Sequence, residues 1–285
     1  MKFTKMQGAG NDFIMVNGFV EALPQNLAAL ACSVCHRNFG VGGDGLIILM
    51  PAENDEADYR MRIFNSDGSE AEMCGNGIRC AAIFARENNI CRKQEQRVIT
   101  GAGIIVPAIC EAPDKERAQE GSWVRVDMGY PRLKGSEVPV KVDADMVLEH
   151  PIEVLGKRLK FNAVSMGNPH AVIFVDELSD DLVHTIGAII EKDSLFPAKT
   201  NVEFVQVIDK EHLKMRVWER GCGETLACGT GSCATGVAGV LTGRTANKVA
   251  IELLGGTLFI EYEKGGKVYM TGPAKVVFNG DYLIK

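Results

Sequence analysis

The chain has 285 residues, 46% hydrophobic and 24% charged, with a net charge of −6. Those proportions exclude a disordered tail and a collagen-like repeat, and the length suits about two domains, each able to bury its own core. An acidic chain without a basic block also excludes nucleic acid and anionic membrane as partners.

From the N-terminus, the first twenty residues carry Asn11 and Asp12 in their middle and lack the apolar run of a secretory signal. No stretch of eighteen uncharged apolar residues follows, so the expectation is a cytoplasmic protein with reduced thiols. Phe13–Val16 reads as a strand. Residues 26–37 read as a helix, with Leu27, Leu30, Ala31 and Val34 at helical spacing. That helix contains Cys32-Ser33-Val34-Cys35-His36, which as a string is a haem-attachment pattern. Haem attachment needs export, so helix-face cysteines are the better reading. Leu46–Met50 is the next strand, 75–87 the next helix, and Ile104–Cys110 a further strand. The polar segment 111–121 is a loop near a domain boundary. Strands at Val172–Val175 and Phe204–Ile208 alternate with helices at 179–191 and 229–241. Ala250–Leu254 and Thr257–Tyr262 close the series.

The nine cysteines form no paired CxxC units with zinc spacing. No Walker string occurs, and GVGGDG (40–45) is not followed by a clear helix, so a dinucleotide fingerprint is not supported. No pattern calls for a metal or for pyridoxal phosphate.

Two segments align without a gap: MRIFNSDGSEAEMCGNG (61–77) and MRVWERGCGETLACGTG (215–231), 154 residues apart. Gly10-Asn11 also matches Gly167-Asn168, and at the same offset of 157 Phe39 meets Phe196 and Asp44 meets Asn201. Three repeated blocks in one order indicate a duplicated domain. The fold class expected is therefore α+β (mixed α/β), with two pseudo-symmetric homologous domains. The boundaries expected are 1–121 plus 273–285 for the first and 122–272 for the second.

Each copy places a cysteine, Cys74 or Cys228, just before a helix that opens Gly-x-Gly. A helix N-terminus offers unpaired N–H groups and a positive dipole end. It is expected to lower the thiol pKa and to receive a carboxylate, which glycine lets approach closely. Related cysteines on opposite faces of one carbon suit inversion of a stereocentre. One thiolate removes the α-proton and the other thiol returns a proton to the opposite face. The plainer reading of a single such motif is tight packing; two equivalent copies favour chemistry.

The motifs KMQGAGNDF (5–13), FGVGGDGL (39–46), FNSDGSEAEMCGNGIRC (64–80), MGNPHAV (166–172), TNVEFVQV (200–207) and WERGCGETLACGTGSCA (218–234) closely resemble the diaminopimelate epimerase family, in that family's order. The resemblance implies a pyridoxal-independent epimerase that interconverts LL- and meso-diaminopimelate, without cofactor, in lysine and peptidoglycan precursor synthesis. Its active site would lie in the interdomain cleft, and the protein would be a homodimer. Cys74 and Cys228 would be the acid–base pair, with His170 and Glu219 helping a cysteine exchange its proton. Gly75, Asn76, Gly229 and Thr230 would surround the reacting carboxylate. Asn11 and the backbone of Glu219 would address the reacting amino group. Asn65, Asn168, Asn201 and Arg220 would read the distal centre, Arg220 pairing its carboxylate. The C-terminal run AKVVFNGDYLI would return to the first domain's sheet. Some relatives carry Gln where this chain has Gly45. Turn chemistry for the asparagines and a satisfied core position for His170 are the alternatives. The rival functions are a proline or hydroxyproline racemase of the same two-cysteine type and a non-catalytic thiol protein.

Overall fold

A computed structural model describes residues 1–284. The chain divides into two compact units, Met1–Asp127 together with the chain from Thr271 on, and Met128–Met270.

In the first unit, β1 (Lys2–Gly8) and β2 (Asn11–Asn17) form a hairpin. Its two turn residues, Ala9 and Gly10, both have positive φ (53° and 82°), the geometry that matches the twist of paired strands. Helix α1 (Leu27–Cys35) is capped by Asn26, whose side chain accepts from Ala29 N. It ends two residues earlier than expected because His36 is already extended. Then come β3 (Gly45–Met50), β4 (Tyr59–Asn65), β5 (Glu70–Ala71) and α2 (Gly75–Glu87). β6 (Val98–Thr100), β7 (Gly103–Ile105), β8 (Pro107–Cys110) and β9 (Ser122–Asp127) complete this stretch. The single strand expected over 104–110 is thus two, because β7 pairs with β6 while β8 pairs with β9. The pairing with β8 also keeps Ser122–Asp127 in the first unit, so the boundary falls six residues beyond the position expected at 121. Residues Arg117–Glu120 of the expected loop form one 3₁₀ turn.

The second unit holds β10 (His150–Val154), β11 (Lys157–Ser165) and β12 (Pro169–Val175). The helix expected at 179–191 is a π-helical run, Asp181–Gly187, that passes into the short α3 (Ala188–Ile190). The wide turn keeps Val183, Ile186 and Ile190 in one core with Phe161, Ala171, Val202 and Phe204. Gly187 sits against Trp218 and Phe204, where a Cβ would come within 3.0 Å of the Trp218 side chain. β13 (Asn201–Val207), β14 (His212–Glu219), β15 (Gly223–Glu224), α4 (Gly229–Leu241), β16 (Lys248–Leu253) and β17 (Gly256–Tyr262) follow. The last strand, β18 (Val268–Asp281), runs on into the first unit, where Lys275–Asp281 pairs antiparallel with β1.

The pairings of the two units correspond one to one. β2–β3 and β12–β13 are parallel, β3–β4 and β13–β14 antiparallel, β4–β6 and β14–β16 parallel, and β6–β7 and β16–β17 antiparallel. The duplication read from the sequence is therefore a duplication of topology. Helices α2 and α4 are both thirteen residues long and buried along most of their length. Apolar and small residues line most of both helices, as expected of a helix enclosed on all sides. Among the described residues, no helix is long and apolar enough to cross a membrane.

Candidate active site

Each unit carries one cluster of candidate residues built around its enclosed helix. In the first, Cys74 is the N-cap of α2: its backbone is extended (φ −139°, ψ 122°) and its Sγ accepts from Gly77 N at 3.4 Å. The sulfur thus replaces the oxygen of an ordinary cap and satisfies one of the helix's orphan donors. Cys74 Sγ also lies 3.7 Å from Asn11 Oδ1. Asn11 opens β2, directly after the hairpin turn, which is why a turn residue reaches the helix cap.

The amide of Asn11 is held at both ends. Its Oδ1 accepts from Asn76 Nδ2 at 3.3 Å, and its Nδ2 donates to Asp44 Oδ2 at 2.6 Å. Asn76 in turn receives Arg79 Nη2 on its Oδ1 at 3.0 Å. Arg79 is fully buried and also donates to Gly75 O and Pro273 O, tying the helix start to β18. Behind Asp44 lie Arg37, Asp12 and Lys5, joined by ion pairs of 2.6–3.0 Å. Burial raises the Asp12 pKa, but the hydrogen bonds and charges of Lys5 and Arg37 outweigh it and hold the carboxyl below its ordinary range. Asn65 is exposed, and its Nδ2 closes a turn on Ser69 Oγ at 2.9 Å. A Cβ at Gly45 would lie 2.8 Å from the Phe64 carbonyl, so the β3–β4 pairing leaves no room for a side chain there.

In the second unit, Cys228 caps α4 with the same extended backbone, and its Sγ accepts from Gly231 N at 3.3 Å. Thr230 Oγ1 lies 3.5 Å from the sulfur, and Asn168 Nδ2 donates to Thr230 Oγ1 at 3.3 Å. Asn168 Oδ1 faces His170 Nε2 at 3.1 Å, and His170 Nδ1 faces Glu203 Oε1 at 2.7 Å. His170 and Glu203 are both fully buried, so His170 is a satisfied core residue and also a link toward Cys228. Glu219 ends β14, half-buried, and accepts from Thr225 Oγ1. Burial raises its pKa, against the bond from Thr225.

The expectation of a lowered thiol pKa does not hold for Cys228. Burial, followed by the charges of Glu219 and Glu203, pushes it well above the ordinary thiol range, against the smaller pull of Thr230 and Gly231 N–H. Desolvation of a thiolate outweighs one helix terminus here. Burial also pushes Cys35 and Cys80 up to about 12, as befits inert packing residues.

Arg220 is exposed and donates through Nη1 to Ala198 O at 3.1 Å; among the described residues it forms no ion pair. It is therefore not the partner of the adjacent Glu219. Its backbone N–H goes to Asn201 Oδ1 at 2.9 Å, while Asn201 Nδ2 donates to Pro169 O at 2.9 Å. Asn201 thus spends its amide on holding the Arg220 loop. Buried Glu191 reinforces that loop, accepting from Trp218 Nε1 and Gly221 N at 3.0 Å each. Arg79, Asp44, Glu191 and Glu203 were not predicted as site residues. A charge inside an apolar strand run, as in Val202-Glu203-Phe204, is the one signal that could have pointed to such a residue.

The fold is shared with solved racemases, epimerases and related proteins. A Bacillus anthracis phenazine biosynthesis protein of the PhzF family superposes with TM-score 0.68 at 16% identity, covering 100% of this chain and 99% of that one. A hydroxyproline epimerase from Agrobacterium vitis gives 0.68 at 14% identity over 98% and 91%. A sequence model of diaminopimelate epimerase matches residues 3–134 and 162–277. Diaminopimelate epimerases of Moorella thermoacetica and Carboxydothermus hydrogenoformans are each 50% identical to the chain, over 99% and 100% of both sequences respectively. The chain belongs to the diaminopimelate epimerase family.

Proposed function

We propose that the protein is an amino-acid epimerase that interconverts LL- and meso-diaminopimelate, with Cys74 and Cys228 as acid and base at one α-carbon. Two thiols capping equivalent helices of a duplicated unit, in a chain of this family, carry the reading. One thiolate takes the α-proton, and the other thiol delivers a proton to the opposite face. The charge that grows on the carboxylate meets first-turn N–H groups at Gly75, Asn76, Gly229 and Thr230, which have no intrahelical acceptor. Cys228 rests as the thiol, the form that donates. Glu219, whose own pKa is raised by burial, serves to take and return its proton. The exposed Arg220 guanidinium, which keeps further donors beyond its bond to Ala198 O, receives the distal carboxylate, and Asn11, Asn65 and Asn168 complete the polar contacts.

The reaction runs without pyridoxal phosphate or metal in this reading, in the cytoplasm and in a homodimer, with the units acting as the two catalytic domains. The deciding assay is deuterium wash-in in D2O. α-Deuterium is expected in diaminopimelate and absent from proline and hydroxyproline. Exchange in proline alone would replace this reading with the racemase one.

A further inference from the structure

We propose that Glu203 is a positioning residue that sets the direction of a hydrogen-bond chain ending on Cys228 Sγ. The inference rests on the acid–base role proposed for Cys228. The chain has four links: Glu203 to His170 (2.7 Å), His170 to Asn168 (3.1 Å), Asn168 to Thr230 (3.3 Å) and Thr230 to Cys228 (3.5 Å).

With the Asn168 amide placed Nδ2 toward Thr230, donor and acceptor capacities set its polarity. The Glu203 carboxylate only accepts, so His170 Nδ1 carries a proton. Asn168 gives its Nδ2 to Thr230 Oγ1, which leaves Oδ1 facing His170 Nε2, so Nε2 carries a proton as well. In this arrangement His170 donates from both ring nitrogens and is paired with the Glu203 carboxylate, both groups being fully buried. The second oxygen of Glu203 has no hydrogen-bond partner among the described residues, which leaves His170 as the group that balances its charge. Thr230 Oγ1, having accepted from Asn168, turns its single proton toward the sulfur. A sulfur that receives this hydroxyl and the Gly231 N–H is stabilised whenever it gives up its proton.

Neutralising Glu203 reverses the chain. A glutamine oxygen still accepts from Nδ1, but Nε2 loses its proton and becomes an acceptor. The Asn168 amide turns over, Thr230 donates to Asn168, and the sulfur faces a lone pair and keeps its proton. Glu203 thus acts on Cys228 in two opposed ways: its bare charge disfavours the thiolate, while the chain it directs favours it. The ionisable groups that bear on Cys228 are Glu219 on β14, Glu203 on β13 and, through Glu203, His170 on β12.

The sign of one substitution separates the two effects. Iodoacetamide alkylation of the Cys228 peptide is followed by mass spectrometry across pH, without substrate, in the full-length protein and in Glu203→Gln. The chain predicts alkylation slowed about tenfold at a given pH, one unit of thiol pKa. Faster or unchanged alkylation overturns the proposal. Nitrogen-15 NMR of His170 gives a second reading on the unmodified protein, which stands even if the variant fails to fold. Two protonated ring nitrogens are expected, and a single one overturns the proposal. Neither measurement uses diaminopimelate, so failure here is distinct from failure in the deuterium assay.

Discussion

Replacing Gly231 by alanine sets two effects of opposite sign against each other. Gly231 is the third residue of α4, and alanine there gains roughly 1 kcal/mol over glycine in intrinsic helix propensity. At this position, however, a Cβ would lie 2.6 Å from Glu203 Oε1 and 3.2 Å from Cys228 Sγ. Glu203 cannot swing away freely, because it is fully buried and bonded to His170 at 2.7 Å. Overpacking alone costs about 1–3 kcal/mol, and loosening a buried charged pair costs about 3–5. Because the clash relaxes by loosening the pair, the pair cost alone is counted, and the net expectation is a loss of about 2–4 kcal/mol after the helical gain is subtracted. Urea unfolding gives the stability, and epimerisation kcat gives the effect on the site. Strong non-additivity with Glu203→Ala is also expected, since removing that carboxylate removes the clash. A Gly231→Ala protein at least as stable and as active as the parent would refute the reasoning, because the clash would then cost no more than the helical gain returns.

Cys74→Ser and Cys228→Ser should each lower kcat by about 10²–10⁴, the usual worth of a positioned acid or base, while Cys32→Ser stays near parental activity. Arg220→Ala should raise KM for diaminopimelate by about 10- to 100-fold, the loss of a charge-assisted pair, with a smaller change in kcat by steady-state assay. Asp12 has a folded pKa below its ordinary 3.8, so its contribution is present above that value and lost as the pH falls through the lower folded one. Melting temperatures should therefore drop as the pH falls below about 4, and Asp12→Asn should start lower at neutral pH and show a flatter acid limb. Asn26→Ala removes the cap of α1 and should cost about 1 kcal/mol in thermal unfolding without changing kcat.

The two enclosed helices were legible because three signals agreed at each: a cap residue, a glycine-rich first turn and small apolar residues on every side. Gly75–Glu87 and Gly229–Leu241 have the expected bounds. The duplication was legible because the cysteines, glycines and asparagines recur at nearly constant offsets, and pairing order follows sequence order. Strands such as β4 and β14 were harder to see. Their outward positions carry Arg60, Arg62, Lys214 and Arg216, and pairing rather than intrinsic preference fixes them. Buried charges were the least legible. Glu203 and Arg79 are settled by neighbours far away in sequence, His170 in one case and Pro273 in the other. The Cys228 thiol shows the same limit. The helix terminus is visible in the sequence, but the carboxylates that oppose it arrive from β13 and β14.

The returning strand β18 makes the first unit discontinuous. Its β1 edge receives a partner only from Lys275–Asp281, at the far end of the chain. In order of synthesis, Met128–Met270 is made before that partner segment. β1 therefore stays without its outer partner until the last part of the first unit has been added. The unit begun first is thus the one completed last. An exposed strand edge during that interval is the point at which a nascent chain is open to chaperones or to mispairing with a neighbour.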